Sequence, residues 1–482
     1  MKKILQNYFY NLSYQLLTMV LPFLTIPYIT RVLGSDNLGI EAYTTSVTSI
    51  FIAFATAGTN IYATRMVANI RDNPFELIKS VYNLIFLRCS ISIIVIILFL
   101  LLALNLEYRF ILALQLIFLL ASTVLDFSWY FTGKERFREI TTRNLFMKII
   151  GFMLTITLVK DSNDLDIYVF INGITLLVPN VYFLKVLIRE LGFPKRSYFS
   201  FINTISLLKN LIPFFLLTVI IQIYMNLDKI VLECFGLTKE LGVYSQIIKS
   251  FNVFLSPITA FGTILMPYVS NLNYHNSKKN LEKIIFLSSN TIIILGIPIF
   301  FGLLSISRQF VHLYFGPEFI EYILVFKIGC ILILTGTISN IVINQVIFPK
   351  MQEGIYLKAL VSATVLRLVM LLISLNKYGI YAAMISYVFS ELFLLIACSY
   401  KIKKQIAIAP IIFNKNILKI LSSGIIMLIT IMSIKENIFL NIIIGSMVYI
   451  FALLMFKEMI TLRVYIYIKR LKLVKYLTLG KR

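Results

Sequence analysis

Ile93–Leu104 reads IIVIILFLLLAL, and none of its side chains is polar. A backbone placed in hydrocarbon must satisfy its own hydrogen bonds, which leaves helices or closed barrels. The run does not alternate, so it is not a barrel strand. It is the core of a helix expected over 81–104, about the 20 residues needed to cross a bilayer. Comparable blocks recur along the chain. The expected spans begin with 10–30, 38–63, 81–104, 109–132, 143–160 and 166–189. They continue with 206–232, 243–270, 283–305, 320–346, 355–376, 379–400, 415–434 and 438–458. The fold class is therefore all-α and integral to the membrane, with about fourteen transmembrane helices. Composition agrees: 59% of residues are hydrophobic and 14% charged, against roughly 25% charged in soluble domains.

The net charge of +23 would suggest nucleic acid in a soluble protein. Here it reads as the positive-inside bias of cytoplasmic loops, with no nucleic-acid partner. With both termini cytoplasmic, 33 of the 45 Lys and Arg fall on the inner set of loops and tails, beginning at Lys2 and Lys3. The bias persists to the C-terminus, so the number of spans is even. The stretch after Lys3 is too polar for a signal-peptide core, and the first helix is expected to stay in the protein. The basic tail Arg463–Arg482 reads as a positive-inside tail, or as a segment lying on anionic lipid.

A weak repeat runs through the first and seventh spans. Pro22-Phe23 is followed by Leu33-Gly34, Leu38-Gly39-Ile40 and Tyr43. Pro213-Phe214 is followed by Phe235-Gly236 and Leu241-Gly242-Val243-Tyr244. Six helices separate the copies. That spacing suits two parallel bundles with a substrate site between them, although two apolar hairpins can also look alike by chance.

The segment PFLTIPYITRVLG, Pro22–Gly34, with Leu38-Gly39-Ile40 after it, resembles the opening of the bacterial oligosaccharide flippases that export O-antigen or capsule repeat units. These belong to the multidrug/oligosaccharidyl-lipid/polysaccharide exporter superfamily. Gly58 through Arg65 with Ile70-Arg71-Asp72, the stretch Asp126–Phe137 (DFSWYFTGKERF), and Asp228-Lys229 with Leu241-Gly242-Val243-Tyr244 and Ile247-Ile248-Lys249 agree as well. The resemblance implies a MATE-like pair of six-helix lobes around a central cavity, here 1–205 and 206–404, and a further helix pair with the basic tail in 405–482. It also implies a substrate built on undecaprenyl pyrophosphate, a bacterial plasma-membrane location, and a polysaccharide polymerase and glycosyltransferases as partners.

Charged side chains at membrane depth are costly and are functional suspects by default. They are Arg88, Asp126, Asp228, Lys249, Arg367 and Glu391, with Arg31 and Glu41 framing the first outer turn. Arg88 lies seven residues inside its helix and Asp126 seven residues from the end of the next, so both are about 10 Å deep. Asp228 and Lys249, and Arg367 and Glu391, are matched in the same way. One reading makes these pairs hairpin salt bridges that set helix register. The other turns cations toward a cavity to hold a pyrophosphate, for which the arginine fork is suited. Lys249 and Arg31 are the foremost candidates, and Arg88, Arg367, Asp126, Asp228 and Glu391 complete the substrate-site set. Arg65 is a cytoplasmic-loop charge or guards the entrance. The amides Asn340, Asn344 and Gln345, and Gln222 with Asn226, either bind sugar hydroxyls or join helices. Thr44–Ser49 reads as a close-packing face.

Signals for catalysis are missing. Gly133-Lys134 is followed by Glu135, so no phosphate-binding loop exists. His275 and His312 are far apart, the four cysteines are scattered, and Asp161, Asp164 and Asp166 read as a solvated turn. No cofactor or metal is expected. Energy would come from the membrane potential or a coupled ion. Two rivals remain: a cation-coupled drug exporter using Asp126 or Glu391, and a membrane polymerase or ligase, which usually needs a larger external loop.

Overall fold

The computed structural model describes residues 20–195, 198, 201–274, 278–403, 414–434 and 437–461. Lys2, Lys3, residues 10–19 of the first expected span, His275 and the tail Arg463–Arg482 lie outside the described residues. Among the described residues the regular structure is helical throughout, with no strand. Eleven helices are long and apolar enough to cross a membrane. The protein is thus a multi-pass, all-α membrane protein. The shorter apolar helices α1 (Val20–Val32) and α5 (Arg109–Ser122), and α7 (Phe137–Leu158), occupy three further expected spans.

α4 (Pro74–Asn105) shows why this sequence needs lipid. Val95, Phe99 and Ala103 form its buried stripe, while Ile93, Ile94, Ile97, Leu101 and Leu104 are exposed. In water that apolar face would be an aggregation hazard; in hydrocarbon it costs nothing.

Among the described residues, two expected spans are broken by left-handed or unwound backbone. The second splits into α2 (Gly34–Thr56) and α3 (Thr59–Ile70). Between them Ala57 and Gly58 take φ of 46° and 70°, and left-handed backbone ends a helix. Gly58 is obligatory for a second reason: a Cβ there would lie 2.4 Å from the Phe214 carbonyl carbon. The fourth splits into α5 and α6 (Ser128–Gly133), with Thr123–Phe127 unwound. Such breaks are tolerated at membrane depth only where protein or a cavity re-satisfies the backbone.

The chain forms two compact units. The first comprises Met1–Lys249 with Leu368–Ala383. Its core includes the aromatic stretch of the DFSWYFTGKERF segment: Trp129, Tyr130 and Phe131 are buried, and Phe131 stacks on Phe183 at 4.1 Å. The basic end of that segment is tied down by Glu190, which accepts from Lys134 at 3.1 Å and from Arg136. Two helices of this unit meet through the repeated Leu-Gly pairs. Gly39 on α2 and Gly242 on α10 (Thr238–Tyr274) leave no room for side chains: a Cβ on Gly39 would lie 2.0 Å from the Thr238 carbonyl oxygen, and one on Gly242 1.8 Å from that of Ser35. The segment Leu368–Ala383 is fastened to the unit by Glu240, whose carboxylate accepts from the Ile380 backbone N–H at 2.5 Å.

The second unit comprises Ser250–Arg367 and Met384–Arg482. Its helices α11 (Lys278–Ser305), α14 (Ile331–Val342), α17 (Lys415–Ser433) and α18 (Ile438–Met455) pack through small residues, with Gly296 against Thr337 and Gly424 against Phe301. α14 runs into a π-helical turn, Ile343–Ile347, where Gln345 accepts from Ser288 at 2.6 Å.

Candidate functional site

The first charged pair folds where both broken spans come together. Arg88 on α4 is buried and donates to the Asn60 side-chain oxygen at 2.8 Å and to the Ser122 carbonyl at 2.9 Å. Ser122 ends α5, so its carbonyl is one that the break has left without a helical partner. Asp126 stands 3.9 Å from Arg88 and accepts from the Ser128 backbone N–H at 2.9 Å, at the start of α6. The Asn60 amide reaches Asp126 at 3.5 Å. The expected pairing of Arg88 with Asp126 is present, but the direct hydrogen bonds run through Asn60 and the freed backbone. Arg88 has a side chain only 3% exposed, and its work here is to hold two interrupted helices.

Lys249 on α10 donates to Glu41 on α2 at 2.8 Å. The matching of Lys249 with Asp228 is corrected by this contact. Asp228 accepts instead from the Tyr244 hydroxyl. Residues 244 and 249 are five apart, so they point about 140° away from each other around a helix of 3.6 residues per turn; equal height in a hairpin does not mean a shared face. Glu41 also accepts from Thr45 at 3.3 Å, and Thr45 accepts from Gln115 on α5 at 3.0 Å. The network thus joins three helices, and Thr44–Ser49 is the packing face expected, with Thr44 and Ser46 fully buried. The Lys249 side chain is 37% exposed and that of Glu41 10%. Among the described residues, the cation of this pair is more accessible than Arg88, whose side chain is 3% exposed.

The remaining candidates are placed as follows. Arg31 is exposed on α1 and donates to the Pro27 carbonyl at 2.8 Å. Arg367 on α15 (Glu353–Tyr378) is buried, with its guanidinium 3.8 Å from the centre of the Tyr387 ring. Tyr387 lies on α16 (Ile380–Ile402), one turn before Glu391, so an aromatic face contributes to seating this arginine. Arg65 on α3 lies over Phe214 at 5.3 Å and lines a pocket of about 610 Å3. Asn226 bonds within its own helix to Gln222 and accepts from Lys229 at 3.2 Å. Asn340 is buried against Gly262. Asp164 accepts from the backbone N–H groups of Lys160 and Asp161, a turn-capping role. Asn60 and Gln115 carry no charge and lie within apolar runs, so charge bookkeeping passes over them. The nearby Gly58 was the available signal for Asn60.

Helices broken at membrane depth, with buried charges at the breaks, define a class: polytopic membrane carriers built from discontinuous helices. A family model for polysaccharide biosynthesis proteins matches residues 4–273. The chain belongs to the polysaccharide biosynthesis protein family. A protein assigned as an O-antigen transporter in Shigella dysenteriae is 22% identical over 382 residues, covering 78% of this chain and 94% of its own. The lipid II flippase MurJ, in an inward closed conformation, superposes with a TM-score of 0.72 at 16% identity, covering 96% of this chain and 100% of MurJ. An inward-facing multidrug-resistance MATE transporter of the MOP superfamily gives 0.61 at 13% identity, covering 82% and 95%. The fold is that shared by these carriers, and the relatives are transporters and flippases rather than catalysts.

Proposed function

We propose that this protein is a flippase for lipid-linked glycans, moving undecaprenyl-pyrophosphate-linked repeat units from the cytoplasmic to the outer leaflet of a bacterial plasma membrane. The observation that carries the reading is Lys249: a membrane-depth cation, accessible, and paired to a carboxylate that a phosphate can displace. A displaced Glu41 retains its bond to Thr45. The polar head crosses while the polyprenyl tail stays in lipid. Lobes 1–205 and 206–404 rock in alternating access, with 405–482 as an accessory helix pair and both termini cytoplasmic. Moving net negative charge out of a negative interior releases roughly 2.3 kcal/mol per charge per 100 mV. Arg31 approaches the same head group, and a polysaccharide polymerase and glycosyltransferases act before and after it.

In cells that depend on this chain, Lys249→Ala is expected to leave the protein in the membrane while lipid-linked repeat units accumulate inside and surface polysaccharide falls at least tenfold. Wild-type polysaccharide in that variant removes Lys249 from the mechanism. The MATE likeness supports a drug exporter as the second reading, and drug efflux from intact cells with normal surface polysaccharide would favour it.

A further inference from the structure

The pocket beside Arg65 is outside the Lys249 network and holds a different chemistry. Its lining includes Arg65 and Asn69 from α3 and Lys209 and Asn210 from α9 (Phe201–Cys234), set against the aromatic rings of Tyr62 and Phe214. Two cations and two amides face the space, and no carboxylate lines it. Among the described residues, Lys209, Asn69 and Asn210 have no protein partner. Arg65 is pinned over Phe214, which orients its fork. The pocket floor is firm, because Gly58 lets α3 start in contact with the Phe214 backbone.

Depth identifies the ligand class. Gly34–Ile70 and α9 are each long and apolar enough to cross a membrane, and the pocket lies beside the C-terminal end of the first and the N-terminal part of the second. Lys209 lies three residues into the span expected over 206–232, about 4.5 Å, and Asn69 is in the last turn of α3. That is head-group level. A site with cations and amide donors at that level and aromatic walls facing inward matches a phosphate carried on an apolar chain; basic pockets between transmembrane helices bind lipid head groups in this way. The geometry points to a binding site for the phosphate of a membrane lipid, supplied either by a resident anionic phospholipid or by a polyprenyl pyrophosphate. The site stands whether or not the chain transports glycans.

The test is native mass spectrometry of the full-length protein in detergent, titrated separately with phosphatidylglycerol, phosphatidylcholine and undecaprenyl pyrophosphate. The wild type should retain at least one of the two anionic lipids over phosphatidylcholine, and R65Q/K209Q should lose that adduct at least tenfold. Which lipid is retained identifies the source. Lys209→Gln alone, at an exposed position, should lose part of the affinity and serves if the double variant is unstable. A wild type that retains an anionic-lipid adduct while cells show no lipid-linked repeat-unit export would leave this site standing as the transport reading fails, so the two failures are told apart. Equal retention of all three lipids by the wild type, or unchanged adducts in folded R65Q/K209Q, overturns the proposal.

Discussion

Arg88 shows what a single buried charge does in this protein. Its removal strands the Asp126 carboxylate and the Ser122 carbonyl together. Breaking a buried pair from one side costs about 3–5 kcal/mol. Arg88→Ala is therefore expected to lower stability in detergent unfolding by about that amount, and Arg88→Ala with Asp126→Ala by less than the sum of the single variants, since the two share a network. Additive losses would show that the residues do not act together. Glu458, beyond the end of α18, carries a pH prediction. Burial alone would push its carboxyl up, but Thr461 donates from its hydroxyl and, at 2.7 Å, its backbone N–H, with Ile460 at 3.0 Å and Asn416 at 2.6 Å also donating. These bonds hold it below the usual glutamate range. A depressed carboxylate contributes stability that is complete above about pH 4.3 and is lost as the pH falls through the lower folded-state value. Between pH 6 and 3 the wild type should lose more stability than Glu458→Gln; parallel curves would rule the linkage out.

Among the elements, α2 and α10 are the pair most sensitive to volume. They cross at Gly39 and Gly242, where each backbone occupies the space a side chain would need. Small residues allow such an approach between membrane helices. Gly39→Ala and Gly242→Ala are each expected to destabilise by about 3 kcal/mol, the upper end for overpacking, read as a lower melting temperature in detergent. Substitution of Gly354, which has open space around it, should be close to neutral and provides the control. The same crossing brings Glu41 and Lys249 within reach, two residues and seven residues beyond the glycines along their helices. A widened crossing therefore also weakens the ion pair at the proposed site.

At the scale of the molecule, an apolar chain and a charge bias set the topology. Thirty-three of 45 Lys and Arg were assigned to one side. Reporter fusions should accordingly be cytoplasmic near residue 135 and external near residue 162. The two positions flank α7, which carries Arg138, Arg143 and Lys148 and is not among the eleven described helices that are long and apolar enough to cross a membrane. Reporters found on the same side would remove α7 as a span and invert the sidedness of every loop after it. The bilayer also explains why exposed apolar faces such as that of α4 are compatible with a stable fold, since lipid tails solvate them as the interior of a soluble protein would.

How much was legible beforehand follows from which forces are local. Hydropathy acts over about 20 residues, so the sequence alone determined that the protein is all-helical and spans the membrane many times; its PFLTIPYITRVLG and DFSWYFTGKERF segments pointed to the polysaccharide biosynthesis family. It also singled out the charges at membrane depth, because a charge in hydrocarbon is rare enough to stand out. What it did not determine was partnership. Asp228 and Lys249 match in height yet face apart, Lys249 meets Glu41 from a helix some two hundred positions away, and Asn60 enters the Arg88 cluster with no charge to announce it. Those outcomes depend on how the helices rotate and where they break, and both are set by packing between distant segments, which only the tertiary structure decides.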